Sequence, residues 1–287
     1  MKRVLLFQSY QEKLKIPYAT FLVFQSCAVG VGGGDGVGLA KYFMYDGQCE
    51  NGESVFTLNE DMSAEGKYTE CCLNLNMNSS IEERRLTFEE MAPNWDKISE
   101  NVGYKGHLLC VEAFDRAVSS TDVYPNSTKN IKILDVGAGT GGIGEMLKSR
   151  GYTNVDALDI SQEMLNLAAS KNLYKKLICA PLTDTHMKEI ETAEYDVVLC
   201  GGVIAYGQTP PGAIEQCARF VKPGGLFIFT VRCETFDPEG HNYGATCQKL
   251  EESRKWKLIQ KEKREQHSNP NEERFRYSYL ITYKILQ

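Results

Sequence analysis

The segment IKILDVGAGTGGIGEML, residues 131–147, constrains the fold more than any other stretch of the chain. Ile131, Ile133, Leu134 and Val136 give its first half the continuous apolar character of a strand buried on both faces. Its second half reads as a helix that starts where the glycines end and stops at Gly151, a residue suited to the left-handed turn that closes helices. Between them, Gly137, Gly139 and Gly142 fit the spacing G-x-G-x-x-G. A glycine loop fixed by a buried strand and opening a helix offers free N–H groups and the positive end of the helix dipole, which suits a nucleotide-like ligand. A second glycine-rich run, VGVGGGDGVG at 29–38, admits no such spacing and leads into no clear helix, so it reads as flexible chain.

From about residue 81 the chain is regular. SSIEERRLTFEEM opens with a serine ahead of a helical pattern, and WDKISENVGYKGHLLCVEAFDRAVSS continues helically, with Leu108, Val111, Phe114 and Val118 at spacings of three and four. After the glycine loop, NVDALDI, LICAPL, YDVVLCGGV and GGLFIFTVR read as strands. The helices SQEMLNLAAS, with Ser161 as its N-cap, and PGAIEQCARFV lie among them. Apolar strands joined by helices imply a parallel sheet covered on both faces, an α/β fold. WKLIQKEKRE and RFRYSYLITYKI, on either side of the turn-rich HSNPNEE, read as an antiparallel hairpin that ends the sheet. Residues 1–80 show no sustained period and read as an irregular or disordered N-terminal extension to a domain at 81–287.

Composition excludes several classes. The 287 residues are 42% hydrophobic and 24% charged, as in ordinary globular proteins, and the net charge of −6 argues against a polynucleotide partner. Ten cysteines occur without a C-x-x-C pair, and Cys110, Cys179, Cys200, Cys217, Cys233 and Cys247 fall in helices or strands. They read as reduced, mostly buried thiols of a cytoplasmic protein. No apolar run reaches the roughly eighteen residues of a membrane helix. His107, His186, His241 and His267 are scattered, so no metal site is expected.

Asp159 ends the strand after the glycine loop, 20 residues beyond Gly139 (159 − 139). A carboxylate there can accept both hydroxyls of a ribose, or simply cap the next helix. Asp135 lies two residues before Gly137, where dinucleotide folds usually run apolar. An acid there suits a cofactor with a cationic amino-acid tail and no pyrophosphate.

With these residues in view, ILDVGAGTG resembles the first motif of the class I S-adenosylmethionine-dependent methyltransferases, ALDIS resembles their next acidic element, and FVKPGGLFIFT their turn into the fifth strand. FEEMAPNWDKI, YDVVLCGGVIAYGQTPPGAI and TVR are similar to the methyltransferase-like group named for the Williams–Beuren syndrome chromosomal region, which commonly has histidine where Gln208 stands and tyrosine where Trp95 stands. The resemblance implies a Rossmann-like seven-stranded, mostly parallel sheet with an antiparallel last strand. It also implies S-adenosyl-L-methionine as cofactor. Carried over, Gly137, Ala138 and Gly139 pass under the methionine portion and Asp135 holds its ammonium. Asp159 and Ile160 grip the ribose and flank the adenine, Pro181 and Leu182 of APLTD meet the adenine edge, and Cys200 and Gly201 face the cofactor and begin the acceptor pocket.

Trp95, Tyr206 and Arg232 are the candidates for acceptor contact. No N/D-P-P-Y motif and no proline-cysteine nucleophile follow the fourth strand, which disfavours amide, adenine and pyrimidine acceptors. Methyl transfer needs alignment more than a dedicated base, so no catalytic residue is named. The reading is a methyltransferase acting on a small molecule or a protein, as a monomer or weak dimer. Its alternatives are a catalytically silent cofactor-binding protein that works through partners and an NAD-dependent oxidoreductase.

Overall fold

The computed structural model describes residues 75–120, 124, 129–236, 241–270 and 273–287. All of them belong to one unit of the chain. The run at 29–38 and most of the proposed extension lie outside the described residues.

Among the described residues three helices precede the sheet: α1 (Ile81–Met91), α2 (Trp95–Asn101) and α3 (Gly106–Ser119), with a short 3-10 turn at Ala92–Asn94. Ser80 caps α1 with a reciprocal pair, its hydroxyl accepting from the Glu83 amide at 3.1 Å and the Glu83 carboxylate from the Ser80 amide at 2.6 Å. The helical pattern from Trp95 onward is broken between α2 and α3. Gly103 has φ +60, the Tyr104 amide turns back to Ser99 O and the Lys105 amide donates to Gln266 O, so the chain docks on the C-terminal hairpin there. Within α3 the buried stripe takes in Leu109, Cys110, Val111, Phe114 and Val118, while Leu108 is only half-buried.

The sheet is built from β1 (Ile133–Val136), β2 (Val155–Asp159), β3 (Leu177–Cys179), β4 (Tyr195–Ile204), β5 (Val221–Arg232), β6 (Trp256–Glu265) and β7 (Tyr277–Ile285). The connecting helices are α4 (Gly142–Ser149), α5 (Gln162–Ser170), α6 (Ala213–Phe220), the single turn α7 (Cys233–Phe236) and α8 (Tyr243–Glu252). Strand order is β3-β2-β1-β4-β5-β7-β6. β7 alone is antiparallel, because the β6–β7 hairpin folds back and inserts its second strand between β5 and β6.

Period-two alternation distributes the strand residues between two cores. Ile133, Val197, Leu199, Leu226 and Ile228 face the layer of α3 and α4. Leu134, Val198, Cys200, Phe227 and Phe229 face the layer of α6 and α8, where Trp256 stacks on Tyr283 at 3.8 Å. Strand order reverses between β1 and β4, and in open α/β sheets ligands sit outside the carboxyl ends of strands at such a switch point. Gly137 directly follows β1, and Gly201 lies in the C-terminal half of β4.

Candidate cofactor and acceptor site

After Val136 the chain turns through Gly137 (φ +67) and Gly139 (φ +55) into α4. These left-handed conformations favour glycine. A side chain on Gly137 would also strike Val203, its Cβ only 2.0 Å from a Val203 methyl. Gly137→Ala is therefore expected to cost about 2–5 kcal/mol, from backbone strain of roughly 1–2 kcal/mol and overpacking of roughly 1–3 kcal/mol. Gly151→Ala is the control, since it has φ +83 but nothing within 4 Å of the added methyl. Urea unfolding of both variants checks this, and equal losses would remove the role given to Val203.

The loop is held by β2. Leu158 O accepts the Gly137 and Ala138 amides at 2.7 and 3.1 Å. Asp159 Oδ2 accepts the Gly139 amide at 2.8 Å, and its Oδ1 accepts the Ser161 amide at 2.9 Å. Burial pushes the Asp159 carboxyl above its ordinary pKa, against the pull of the Ser161, Gly139 and Ile160 amides. The Ser161 hydroxyl caps α5 through the Met164 amide at 3.2 Å.

Asp135 is fully buried. Its Oδ2 accepts from the Tyr174 hydroxyl at 2.6 Å, and that phenol oxygen accepts the Gly144 amide at 3.2 Å. Its Oδ1 has no partner among the described residues. Burial, opposed by the Tyr174 bond and reinforced by the charge of Asp159, pushes the Asp135 carboxyl up from 3.8 to about 7. A buried acid with an orphaned oxygen is costly unless a ligand supplies its partner.

Two clefts meet at this loop, with about 1060 Å³ and 940 Å³ of empty space, mouths included. Trp95, Tyr104, Gly137, Gly139 and Gly201 border both. The first is walled by Asp159, Ile160, Pro181 and Leu182 and extends to α1. The second holds Asp135, Ala138, Thr140 and His107. α2 closes over the loop through the Thr140 hydroxyl, which donates to Asp96 at 2.5 Å. Burial lowers the pKa of His107, against the charge of Glu145.

The structure thus gathers Trp95, Asp135, Gly137, Ala138, Gly139, Asp159, Ile160, Pro181, Leu182 and Gly201 around the two clefts. It keeps three expected residues out of their walls. Cys200 points into the α6 side of the core, its thiol against Cys217, because its place in the β4 alternation is shared with Val198. Tyr206 lies half-buried against the His241 ring at 4.1 Å. Arg232 ends β5 with its guanidinium 4.5 Å over Phe275 and 3.5 Å from Glu234. Sequence reading missed Tyr104, Tyr174, Met164 and the cleft face of α1. Only the last had a signal, in the 3-4-3 spacing of Ile81, Arg84, Phe88 and Met91.

Residues 134–229 match the sequence model of a family described as a methyltransferase domain. That stretch, about a third of the chain, is similar to methyltransferase domains. Human methyltransferase-like protein 27 is 28% identical over 170 residues, covering 59% of this chain and 66% of that protein. The ubiquinone biosynthesis O-methyltransferase of Rickettsia typhi is 30% identical over 156 residues, covering 53% and 61%. The chain therefore spans about two thirds or less of these curated relatives. In fold it resembles magnesium protoporphyrin IX methyltransferase from Synechocystis PCC 6803, solved with bound S-adenosylmethionine, at a TM-score of 0.52 and 15% identity over 74% of this chain and 100% of that one.

The site fits S-adenosylmethionine: Asp135 has an oxygen with no partner among the described residues to offer a cation, and the glycine loop lets a ligand lie against the backbone. It suits a dinucleotide less well, because the Gly139 amide that would meet a pyrophosphate is already held by the Asp159 carboxylate. Among the described residues no helix is long and apolar enough to cross a membrane, and no group of three or more His, Cys, Asp or Glu could hold a metal.

Proposed function

We propose that the protein transfers a methyl group from S-adenosylmethionine to a small-molecule or protein acceptor by in-line displacement. The observation that carries this reading is the pair of buried carboxylates flanking one glycine loop, Asp135 with an orphaned oxygen and Asp159 fixed by two amides. Asp135 would hold the ammonium, Gly137 to Gly139 the methionine chain, Asp159 and Ile160 the ribose, and Pro181 and Leu182 the adenine edge. The cofactor supplies an already activated methyl on a sulfonium. The chain's own part is alignment and exclusion of water, with Trp95, Tyr104 and Gly201 lying where the two clefts meet. Alignment alone contributes up to roughly 7–11 kcal/mol.

The catalytic domain is proposed to be 81–287, with the turn at 75–80 packed on it and the rest of 1–80 as an extension. The reading includes a cytoplasmic monomer or weak dimer and an acceptor other than nucleic acid, in keeping with the net charge of −6.

The test is calorimetry of the full chain with S-adenosylmethionine, S-adenosylhomocysteine, NAD and ATP, followed by assay of S-adenosylhomocysteine production in cell extract. Binding of the two adenosyl ligands with turnover supports the proposal. Binding without turnover in any extract favours a silent cofactor-binding protein. Binding of NAD alone overturns the reading.

A further inference from the structure

The cofactor cleft does not end at the adenosine. It runs on to α1, which turns Ile81, Arg84, Phe88 and Met91 into it. Three of these are apolar. The fourth carries a charge, and Arg84 is only 8% exposed.

A guanidinium has five N–H donors and stays charged at any ordinary pH. The protein shows how it treats a structural arginine at Arg219, whose head group donates to Gln216, Ile190 O, Thr192 and Met187 O, all within 3.0–3.2 Å. Arg84 is treated differently. Among the described residues it makes one long contact, to Asn76 O at 3.4 Å, and its buried Nε has no partner. Among the described residues it has no ion pair. The nearest acid in sequence, Glu83, feels its charge but gives its carboxylate to the Ser80 amide at 2.6 Å. Asp159, on the same cleft, is held by the Gly139 and Ser161 amides. The other polar groups at this end, Thr87, Gln208 and Thr209, are neutral. A second buried arginine, Arg232, lies near the same end, since the charges of both arginines oppose the burial that raises the Tyr243 phenol, but Arg232 has Glu234 and the Phe275 ring beside it.

A buried, unpaired cation is expensive, and the matching partner for a planar fork of donors is a carboxylate. We propose that Arg84 anchors the carboxylate of the methyl acceptor, so that the enzyme acts on apolar carboxylic acids. The apolar part of such an acid would lie on Leu75, Phe88, Met91 and Leu182, which line the same cleft. This rests on the methyltransferase reading and narrows its substrate class. Arg84 is a substrate-binding residue here, and the carboxylate is an anchor, whichever atom receives the methyl.

The test uses the full chain and matched probes: octanoate against octanamide, and 3-phenylpropanoate against 3-phenylpropanamide. Binding is measured by calorimetry with and without S-adenosylhomocysteine, for the wild type, Arg84→Gln and Arg84→Lys. The wild type is expected to bind the acids at least tenfold more tightly than the amides. Arg84→Gln should lose that preference and Arg84→Lys keep part of it, with S-adenosylmethionine affinity within about twofold in all three. Equal binding of acid and amide by the wild type overturns the proposal. So does a preference that survives in Arg84→Gln, or no binding of either acid at millimolar concentration. Absence of S-adenosylmethionine binding would instead remove the methyltransferase reading, while the acid preference measured without cofactor still reports on Arg84.

Discussion

Replacing Asp159 by alanine is expected to weaken S-adenosylmethionine binding about 100-fold or more. A carboxylate has about four lone-pair sites. The Gly139 and Ser161 amides take two of them, at 2.8 and 2.9 Å, which leaves two for the paired hydroxyls of a ribose. Hydrogen bonds to a charged group contribute roughly 1.5–3 kcal/mol each, and each 1.4 kcal/mol is a factor of about ten in affinity. Losing two such bonds gives at least about 100-fold, and release of the Gly139 amide loosens the loop beneath the methionine portion as well. Asp159→Asn keeps one acceptor oxygen and should fall between, at about tenfold. Folding stability should change less than binding, since the alanine variant also escapes the cost of burying a carboxylate whose pKa burial already raises. Calorimetry and thermal melting separate the two effects. An alanine variant that binds within threefold of the wild type would remove Asp159 from the cofactor site.

The parts of this site that were legible in the sequence are those written locally. The strand, the glycine spacing and the acid at the end of the next strand lie within one β-α-β unit, so their order along the chain already fixes their neighbourhood. Ser161 as a cap and Gly151 as a helix stop, with φ +83, follow from single-residue conformational rules. Other parts depend on which side of a doubly covered strand faces the ligand. From Val197 to Val203, VVLCGGV is apolar throughout, because β4 is buried on both faces, so nothing in its pattern told that Cys200 belongs to the core and Gly201 to the cleft. Tyr174 reaches Asp135 across 39 residues of sequence, and Tyr104 reaches the cleft only because the helix breaks at Gly103 to meet the C-terminal hairpin. Such contacts are set by tertiary docking. Arg232 and Tyr206 lie outside the cleft walls through contacts of the same kind: Phe275 and His241 are distant from them in sequence, and Glu234, two residues from Arg232, belongs to no period that would announce it.

Affinity for S-adenosylmethionine should rise up to tenfold per pH unit between pH 5.5 and about 7, then level off, with one proton released on binding in the rising range. The free protein holds Asp135 as a neutral acid below about pH 7, since burial outweighs the Tyr174 bond. A cationic ammonium at the unpaired Oδ1 needs the ionised form, so binding must first expel the proton. Each unit below the folded pKa costs about 1.4 kcal/mol. The sign for stability is opposite to that of an ordinary ion-paired carboxylate. The folded pKa of about 7 lies above the ordinary 3.8. The folded state therefore binds more protons between those values, and stability from this group is full below pH 3.8 and lost as pH rises through 7. Cofactor binding offsets that loss where the acid is ionised. Asp135→Asn should bind weakly at every pH, by about 10–100-fold at pH 7, with a flat profile, because an amide carries no charge to meet the ammonium. His107 lines the same cleft and would repel a cation when protonated, which bends the curve in the same direction. Burial lowers its pKa, so its part is confined to the acid end, and His107→Gln should keep the slope near pH 7. A slope that survives in Asp135→Asn and vanishes in His107→Gln would assign the proton to the imidazole and leave Asp135 a structural partner of Tyr174.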